Sequence, residues 1–462
     1  MTLLWAPRAW IDGRWRESVL LRADDDGRWA DITTETAAPP NATVLPGPVL
    51  PSLVNAHSHA FQRAFAGLAE RRSGEHDDFW SWRDRMYGVA LRITPEQLRA
   101  VATQLYTELL AGGTTQVCEF HYLHHAPNGS RYEDPLAMSR ALADAAADAG
   151  IGLTLLPVLY ERAGFMQPAL RDEQRRFATT VDDVIALRDG VRAWRRPFVD
   201  AGVAIHSLRA ASPASIHELV RRLDGDARPI HIHIAEQTGE VDDCVAATGT
   251  RPIEWLAREV KLDPRWQLVH ATHATPREID AVAASGAGVV ICPTTEANLG
   301  DGLPDLPRWL ASSTPLAIGS DSQVSRSAIE ELRWLEYDQR LVRRQRNVAA
   351  QPERGENATA ARLFGRTMAG GAAAAGFDAW GLAVGARADL LVIDSNAPGL
   401  LGVPESHALD ALVFATDAPA FSEVWVAGRR VLAAGRHSAA NAIGERFAAT
   451  MQILWTEAPQ LS

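Results

Sequence analysis

Short apolar runs alternate with longer amphipathic stretches along most of this chain, and that alternation predicts a fold. Residues 1 to about 48 carry short β-type runs broken by polar turns. Trp10-Ile11-Asp12-Gly13-Arg14-Trp15 and Asp24-Asp25-Asp26-Gly27-Arg28 each read as a hairpin. The pattern changes at Pro46-Gly47-Pro48. From there to about residue 345, eight strand-like runs follow one another: 49–54, 115–120, 152–159, 202–207, 229–235, 266–271, 287–292 and 315–320. Helical periods separate them. Thr94-Pro95-Glu96-Gln97 is a helix start, with Thr94 as N-cap and proline at the first helical position; Ser212-Pro213 and Thr275-Pro276 repeat the device. Eight strand-then-helix units in one run predict an α/β fold, a (β/α)8 TIM-type barrel rather than a doubly wound sheet. Residues 357–374 read as a helix, after which 381–393, 411–414 and 423–432 return to a strand pattern. The N- and C-terminal segments are therefore expected to pair into a small β-sandwich. Its first part spans 1–48, the barrel 49–378, and 379–462 holds its second part and a C-terminal helix.

Composition narrows the function classes. Of 462 residues, 47% are hydrophobic and 22% charged, ordinary for a globular protein with a sizeable core. The net charge of -11 argues against a nucleic-acid partner, whose phosphates need a basic surface. It leaves room for a small anion held by a local arginine cluster. No stretch approaches the eighteen or so apolar residues of a membrane span, and residues 1–15 lack the layout of a signal peptide. Cys118, Cys244 and Cys292 are far apart and form neither a disulfide framework nor a Cys-x-x-Cys site. These features predict a cytoplasmic enzyme with no membrane or nucleic-acid partner.

In such barrels the chemistry sits where the strands end. His57-Ser58-His59 follows the first strand, and residues two apart on a strand face the same way. The fifth strand ends in His231-Ile232-His233-Ile234-Ala235-Glu236, the sixth in His270-Ala271-Thr272-His273, the eighth in Gly319-Ser320-Asp321-Ser322. His231 alone reads more simply as a core histidine, whereas His233, with Glu236 three residues beyond it, reads as functional. The order of these motifs is the signal: His-x-His, His-x-x-Glu, His and Asp, at the ends of units one, five, six and eight. Neutral imidazoles with one carboxylate suit Zn²⁺, or Fe²⁺ where availability favours it.

These motifs resemble the amidohydrolase superfamily over essentially the whole chain, down to the tail Gly385-Ala386-Arg387-Ala388-Asp389-Leu390-Leu391-Val392. Some members hold two metals bridged by a modified lysine on strand four. Here Lys261, the sole lysine, lies after strand five, which leaves the single-metal deaminase type. Stretches 55–63, 79–83, 119–125, 206–209, 231–244 and 292–302 are similar to the formimidoylglutamate deiminases of that superfamily. One departure is Gln323, where that pattern would place a histidine. The resemblance implies one Zn²⁺ per subunit on His57, His59, His233 and Asp321, acidifying a water. It implies Glu236 as proton shuttle, His270 as a contact for the attacking oxygen, and Asp321 as its orienting group. The implied substrate is a small dianion, N-formimidoyl-L-glutamate, hydrolysed to N-formyl-L-glutamate and ammonia. Arg83, in the loop after strand one, and Arg209, at the end of strand four, suit its two carboxylates. Gln62, Tyr122 and His206 are further substrate contacts. His231 and His273 are read as structural supports, and a homodimer is implied. The alternatives are another single-metal deaminase, acting on guanine, an adenosine derivative or a triazine, and a non-catalytic barrel, which would not keep every ligand and the shuttle.

Overall fold

The computed structural model describes residues 1–72 and 78–456. Eight parallel strands form the central sheet: Leu53–Ser58, Thr114–His121, Gly152–Leu159, Val203–Ile205, Ile230–Ile234, Trp266–His270, Gly288–Ile291 and Leu316–Ile318, paired in that order. A short strand, Val199–Ala201, adds to the third. Nearly every residue of the eight is buried, so they read as continuous apolar runs rather than alternating ones. The helices between start where the sequence predicts. Thr94, Ser212 and Thr275 accept hydrogen bonds from the backbone N–H groups of Gln97, Ser215 and Glu278, with prolines 95, 213 and 276 in the first turn.

The barrel closes between its eighth and first strands. There Asp321 N–H donates to the His57 carbonyl at 3.0 Å and His59 N–H to the Asp321 carbonyl at 3.2 Å. Three residues of the predicted metal set therefore also make the seam. The approach is close enough to require Gly319: a Cβ there would sit 2.6 Å from His57 Cβ and 2.9 Å from its carbonyl oxygen. Gly319→Ala must push the two strands apart. It is expected to weaken metal binding about 10–100-fold, the range for disturbing groups that orient ligands. A competition titration against a chelator checks this, and unchanged affinity would show that the seam does not set the ligand positions.

The terminal segments build a second sheet of nine strands around a separate core that includes Leu4, Val19, Leu21, Trp29, Leu390 and Trp425. Its path ends with Trp29–Thr33, and a bridge between Arg28 and Arg387 brings that edge back toward Leu390–Ile393, so the sheet folds over its own core. Asp12 and Gly13 both have positive φ in the first tight turn, as an Asp-Gly hairpin demands. Arg387 and Asp389, 6% and 2% exposed, pair at 2.6 Å between the two sheets. The Arg387 guanidinium also donates to the Thr115 carbonyl and to Gln116 Oε1 of the second barrel strand. Asp389 accepts from Thr115 Oγ1 and Ala427 N. Asp389→Ala would leave a buried guanidinium uncompensated, and is expected to cost about 3–5 kcal/mol. Urea unfolding measures it; a loss below about 1 kcal/mol would mean that water replaces the carboxylate.

Several sequence expectations are corrected. The run 49–54 is not one strand. Val49–Leu50 joins the terminal sheet, Pro51 interrupts because it has no N–H to donate, and the barrel strand begins at Leu53. His57 and Ser58 thus lie within the first strand rather than after it. Residues 411–414 are helical, inside Ala408–Ala415, whose Leu409, Leu412 and Val413 share a buried face. Of 381–393 only Leu390–Ile393 is strand. Arg83 stands on a helix, Phe79–Ala90, capped by Asp78, and not in a loop. No helix among the described residues is long and apolar enough to cross a membrane.

Candidate active site

At the C-terminal mouth of the barrel the structure brings His57, His59, His233 and Asp321 together. His57 Nε2 lies 3.2 Å from His59 Nε2 and 2.9 Å from His233 Nε2. Asp321 Oδ1 is 3.4 Å from His57 Nε2 and 3.2 Å from His59 Nε2. The tautomer of His59 follows from its surroundings: its Nδ1 faces the Phe120 carbonyl at 2.9 Å, which can only accept. That leaves Nε2 as the ring nitrogen that faces the cluster and can serve a metal. Burial holds the imidazole of His57 down, to about 3, and that of His233 well below its ordinary range. Burial alone would raise the Asp321 carboxyl, but His57 and His59 outweigh it and keep the carboxylate ionised. Neutral imidazoles and an ionised carboxylate are the protonation states a metal requires. A tetrahedral cation with arms of about 2.0–2.1 Å sets its ligand atoms about 3.3 Å apart. The separations among His57, His59 and Asp321 fit; His233 reaches this triad through His57 and groups more closely with His57 and His270.

Backbone strain concentrates here. Ala235, His270, Ala271, Asp321 and Gln323 all have positive φ, between 45° and 69°. Non-glycine residues hold that conformation only where the surroundings enforce it, and such positions cluster at functional sites. Each of these five ends a barrel strand or follows one closely.

Glu236 and His270 flank the cluster. His270 Nε2 lies 3.8 Å from Glu236 Oε1 and 3.9 Å from Asp321 Oδ2. Its Nδ1 faces Glu296 Oε1 at 3.3 Å. Burial opposes charge on His270, but Glu236, Glu296 and Asp321 outweigh it and hold its pKa up, to about 10. Burial pushes Glu236 up to about 7, and Asp321 adds to the rise while His270 opposes it. A cationic imidazole thus stands beside a carboxyl group poised near neutrality.

The cluster opens into a cavity of about 540 Å³, its mouth included, lined by Gln62, Arg83, Tyr122, His206 and Arg209 as well as Glu236 and His270. Gln62 Nε2 donates to the Tyr122 hydroxyl at 3.1 Å. The Arg83 guanidinium lies 4.5 Å from the ring centre of Trp80, and that of Arg209 5.3 Å from the same ring. Arg171 completes the cationic group and is tied to Asp84 at 3.6 Å. Among the described residues Arg83 and Arg209 have no carboxylate partner. Arg209 is only 8% exposed, and Arg83 Nε is buried without a hydrogen-bond partner. Two adjacent guanidinium groups left unpaired in a cavity wall make a built site for anionic oxygens.

His231 and His273 stay outside. His231 Nε2 donates to the Ala374 carbonyl at 2.8 Å, and the ring of His273 packs against Gly302. Gln323 lies beneath the seam. Its Nε2 donates to Ser58 Oγ and to the Asp321 carbonyl, and its Oε1 accepts from Ser320 Oγ. Sequence reasoning gave no role to four acids and a tyrosine. Glu119 accepts from Ser58 Oγ and Ala60 N, bracketing His59. Glu240 accepts from the backbone N–H groups of Ala235 and Glu236. Glu296 holds His270, and the carboxyl of Asp301, buried among the acids of the site, accepts from Gln237. The ring of Tyr160 lies 4.4 Å from that of His206 in the cavity wall. Glu119, Glu240, Glu296 and Asp301 all fall inside the family-like stretches, which was their only signal.

Comparison with known proteins follows this geometry. The amidohydrolase family model matches residues 49–431. A formimidoylglutamate deiminase of Pseudomonas aeruginosa is 46% identical over 445 residues, covering 95% of this chain and 96% of the relative. A 5-methylthioadenosine/S-adenosylhomocysteine deaminase of Natronomonas pharaonis is 29% identical, covering 76% of this chain and 74% of its own length. The crystal structure of an amidohydrolase from Brucella melitensis superposes with a TM-score of 0.93 at 39% identity, covering 98% of this chain and all of that one. A zinc-bound adenosine deaminase of Xanthomonas campestris, 23% identical with a TM-score of 0.82, shares the fold. On the match of residues 49–431 and the kinship across nearly its full length, this chain belongs to the amidohydrolase family.

Proposed function

We propose that this protein is a metal-dependent deiminase that hydrolyses N-formimidoyl-L-glutamate to N-formyl-L-glutamate and ammonia. The observation that carries the reading is the pair of guanidinium groups, Arg83 and Arg209, without a carboxylate partner among the described residues, in the wall of a cavity that ends at the candidate metal cluster. The kinship to a formimidoylglutamate deiminase supports the same substrate. A neutral purine or triazine would leave both cations without partners in a poorly solvated wall.

His57, His59, His233 and Asp321 would hold one Zn²⁺, for which Fe²⁺ could substitute, and the bound metal supplies a water acidified toward neutrality. Arg83 and Arg209 bind the two carboxylates and orient the amidine toward the cluster. Gln62, Tyr122 and His206 bound the space between. Glu236 Oε1 passes one proton of the attacking water to the imino nitrogen as the oxygen bonds to the carbon, then carries the remaining hydroxyl proton to the same nitrogen, so that the C–N bond breaks with ammonia leaving neutral and the carbon keeps the oxygen as a formyl group. A carboxyl near pH 7 is suited to both transfers. His270, held cationic by its acids, donates to the oxygen as charge develops there. The same reading places the enzyme in the cytoplasm as a homodimer. Three buried, free cysteines suit a reducing compartment.

Ammonia release from N-formimidoyl-L-glutamate, with and without chelator, tests the reading against a panel of purines and triazines. Arg209→Ala is expected to raise KM about 10–100-fold, the equivalent of one charged hydrogen-bonding pair. A change under about twofold would mean that the carboxylates bind elsewhere.

A further inference from the structure

Two buried tyrosines line the cavity beside Arg83 and Arg209. Tyr87 lies four residues after Arg83 on the helix Phe79–Ala90, so the two share a face. Tyr160 follows the third barrel strand directly, at the mouth where such strands present their chemistry.

Gln174, wholly buried beside both hydroxyls, fixes the direction of their hydrogen bonds. Its Oε1 accepts from the Arg171 backbone N–H at 3.0 Å, so the other side of the amide is its NH2 group. That Nε2 donates to the Tyr160 hydroxyl at 2.8 Å and to the Tyr87 hydroxyl at 3.4 Å. Arg171 Nη2 also donates to the Tyr87 hydroxyl, at 3.3 Å. Both phenol oxygens therefore act as acceptors here, and each keeps its own O–H to donate. Among the described residues neither O–H has an acceptor, and the two do not bond to each other. A buried tyrosine normally finds a partner for that proton.

The surroundings are cationic. The guanidinium groups of Arg83 and Arg171 lie 5.8 and 5.5 Å from the ring centre of Tyr87. Burial pushes the Tyr160 phenol up and Tyr87 adds to the rise, while Arg209, Arg83 and Arg171 oppose it. Tyr160 thus keeps its proton among three cations. The missing acceptor is one that suits donors and positive charge together.

We propose that the Tyr87 and Tyr160 hydroxyls donate to the substrate carboxylates held by Arg83 and Arg209, and so help to set specificity. The inference rests on the deiminase reading above and adds two donors to its carboxylate site. A carboxylate only accepts, at about four lone-pair positions, so guanidinium and phenol donors can share it. Each O–H is polarised by the bond its oxygen receives from Gln174, which strengthens it as a donor. A wall made of donors disfavours a carboxamide of the same shape, whose NH2 would face them.

Tyr87→Phe and Tyr160→Phe remove only the hydroxyls. Each is expected to raise KM for N-formimidoyl-L-glutamate about tenfold, with kcat within about twofold, as loss of a hydrogen bond to a charged acceptor implies. Glutarate, a dicarboxylate with no amidine to hydrolyse, is titrated in parallel by ligand-observed NMR, and its Kd should rise by about the same factor. In an Arg209→Ala background, removing the Tyr160 hydroxyl should cost less than about threefold, because the two groups act on one ligand group. Loss of kcat with KM and glutarate affinity unchanged would make the hydroxyls structural and overturn the proposal. So would a change under about twofold in both measurements, full additivity with Arg209→Ala, or wild-type protein that binds no glutarate. Tyr87→Phe leaves Gln174 Nε2 its bond to Tyr160, so it reads out even where Tyr160→Phe fails to fold. Wild-type protein that binds glutarate without turning over the formimidoyl substrate would sink the substrate reading instead, and the glutarate titrations would still decide on the hydroxyls.

Discussion

Glu236→Gln is expected to keep its metal and to lose about 10²–10⁴-fold in kcat, the contribution typical of a positioned proton shuttle. The amide preserves the shape of the side chain and its place beside His270, 3.8 Å away. What it cannot do is carry a proton from water to nitrogen. Burial lifts the Glu236 carboxyl to about 7, where the group can take a proton and return it in one cycle. KM should change little, because on the proposed reading Arg83 and Arg209, in the cavity wall, hold the substrate rather than Glu236. Steady-state kinetics and elemental analysis of the same preparation decide the matter. If metal disappears together with activity, Glu236 is a ligand or a support of the fold, and the shuttle role is wrong.

His233→Ala is expected to empty the metal site, weakening affinity by more than the roughly 10–100-fold that follows loss of an orienting partner. His233 Nε2 is 2.9 Å from His57 Nε2, and removing it leaves two imidazoles and one carboxylate, a set short of the four donors of a tetrahedral site. Zinc content after dialysis against a weak chelator should fall close to zero. The circular dichroism spectrum should persist, because the seam hydrogen bonds are backbone bonds of His57, His59 and Asp321 and do not involve His233. A variant that retains stoichiometric zinc would show that these four side chains do not share a cation, and the hydrolytic scheme would fail with it.

The barrel was legible because its strands are buried on both faces, and a chain that must bury both faces spells them as continuous apolar runs. Helix starts were legible for a similarly local reason: Thr94, Ser212 and Thr275 cap through atoms three residues away. Misreadings arose where a neighbour decides. Residues 411–414 are apolar enough for a strand, but the wider spacing of Leu409, Leu412 and Val413 matches one helix face. Pro51 splits one apparent strand between two sheets, which cannot be seen until both sheets exist.

For the site, the order of motifs pointed to the proposed ligand set, because residue type and strand-end position are properties of the chain itself, and the family resemblance pointed to Arg83 and Arg209. Distances and charges are not. That the barrel seam runs through His57, His59 and Asp321, that Gly319 must lack a side chain, and that Arg83 and Arg209 meet no acid among the described residues follow only from elements far apart in sequence packing together. The charges on His270 and Glu236 have the same origin. Each is set by acids, imidazoles and burial contributed by other strands, and electrostatic free energy depends on separation in space, not along the chain.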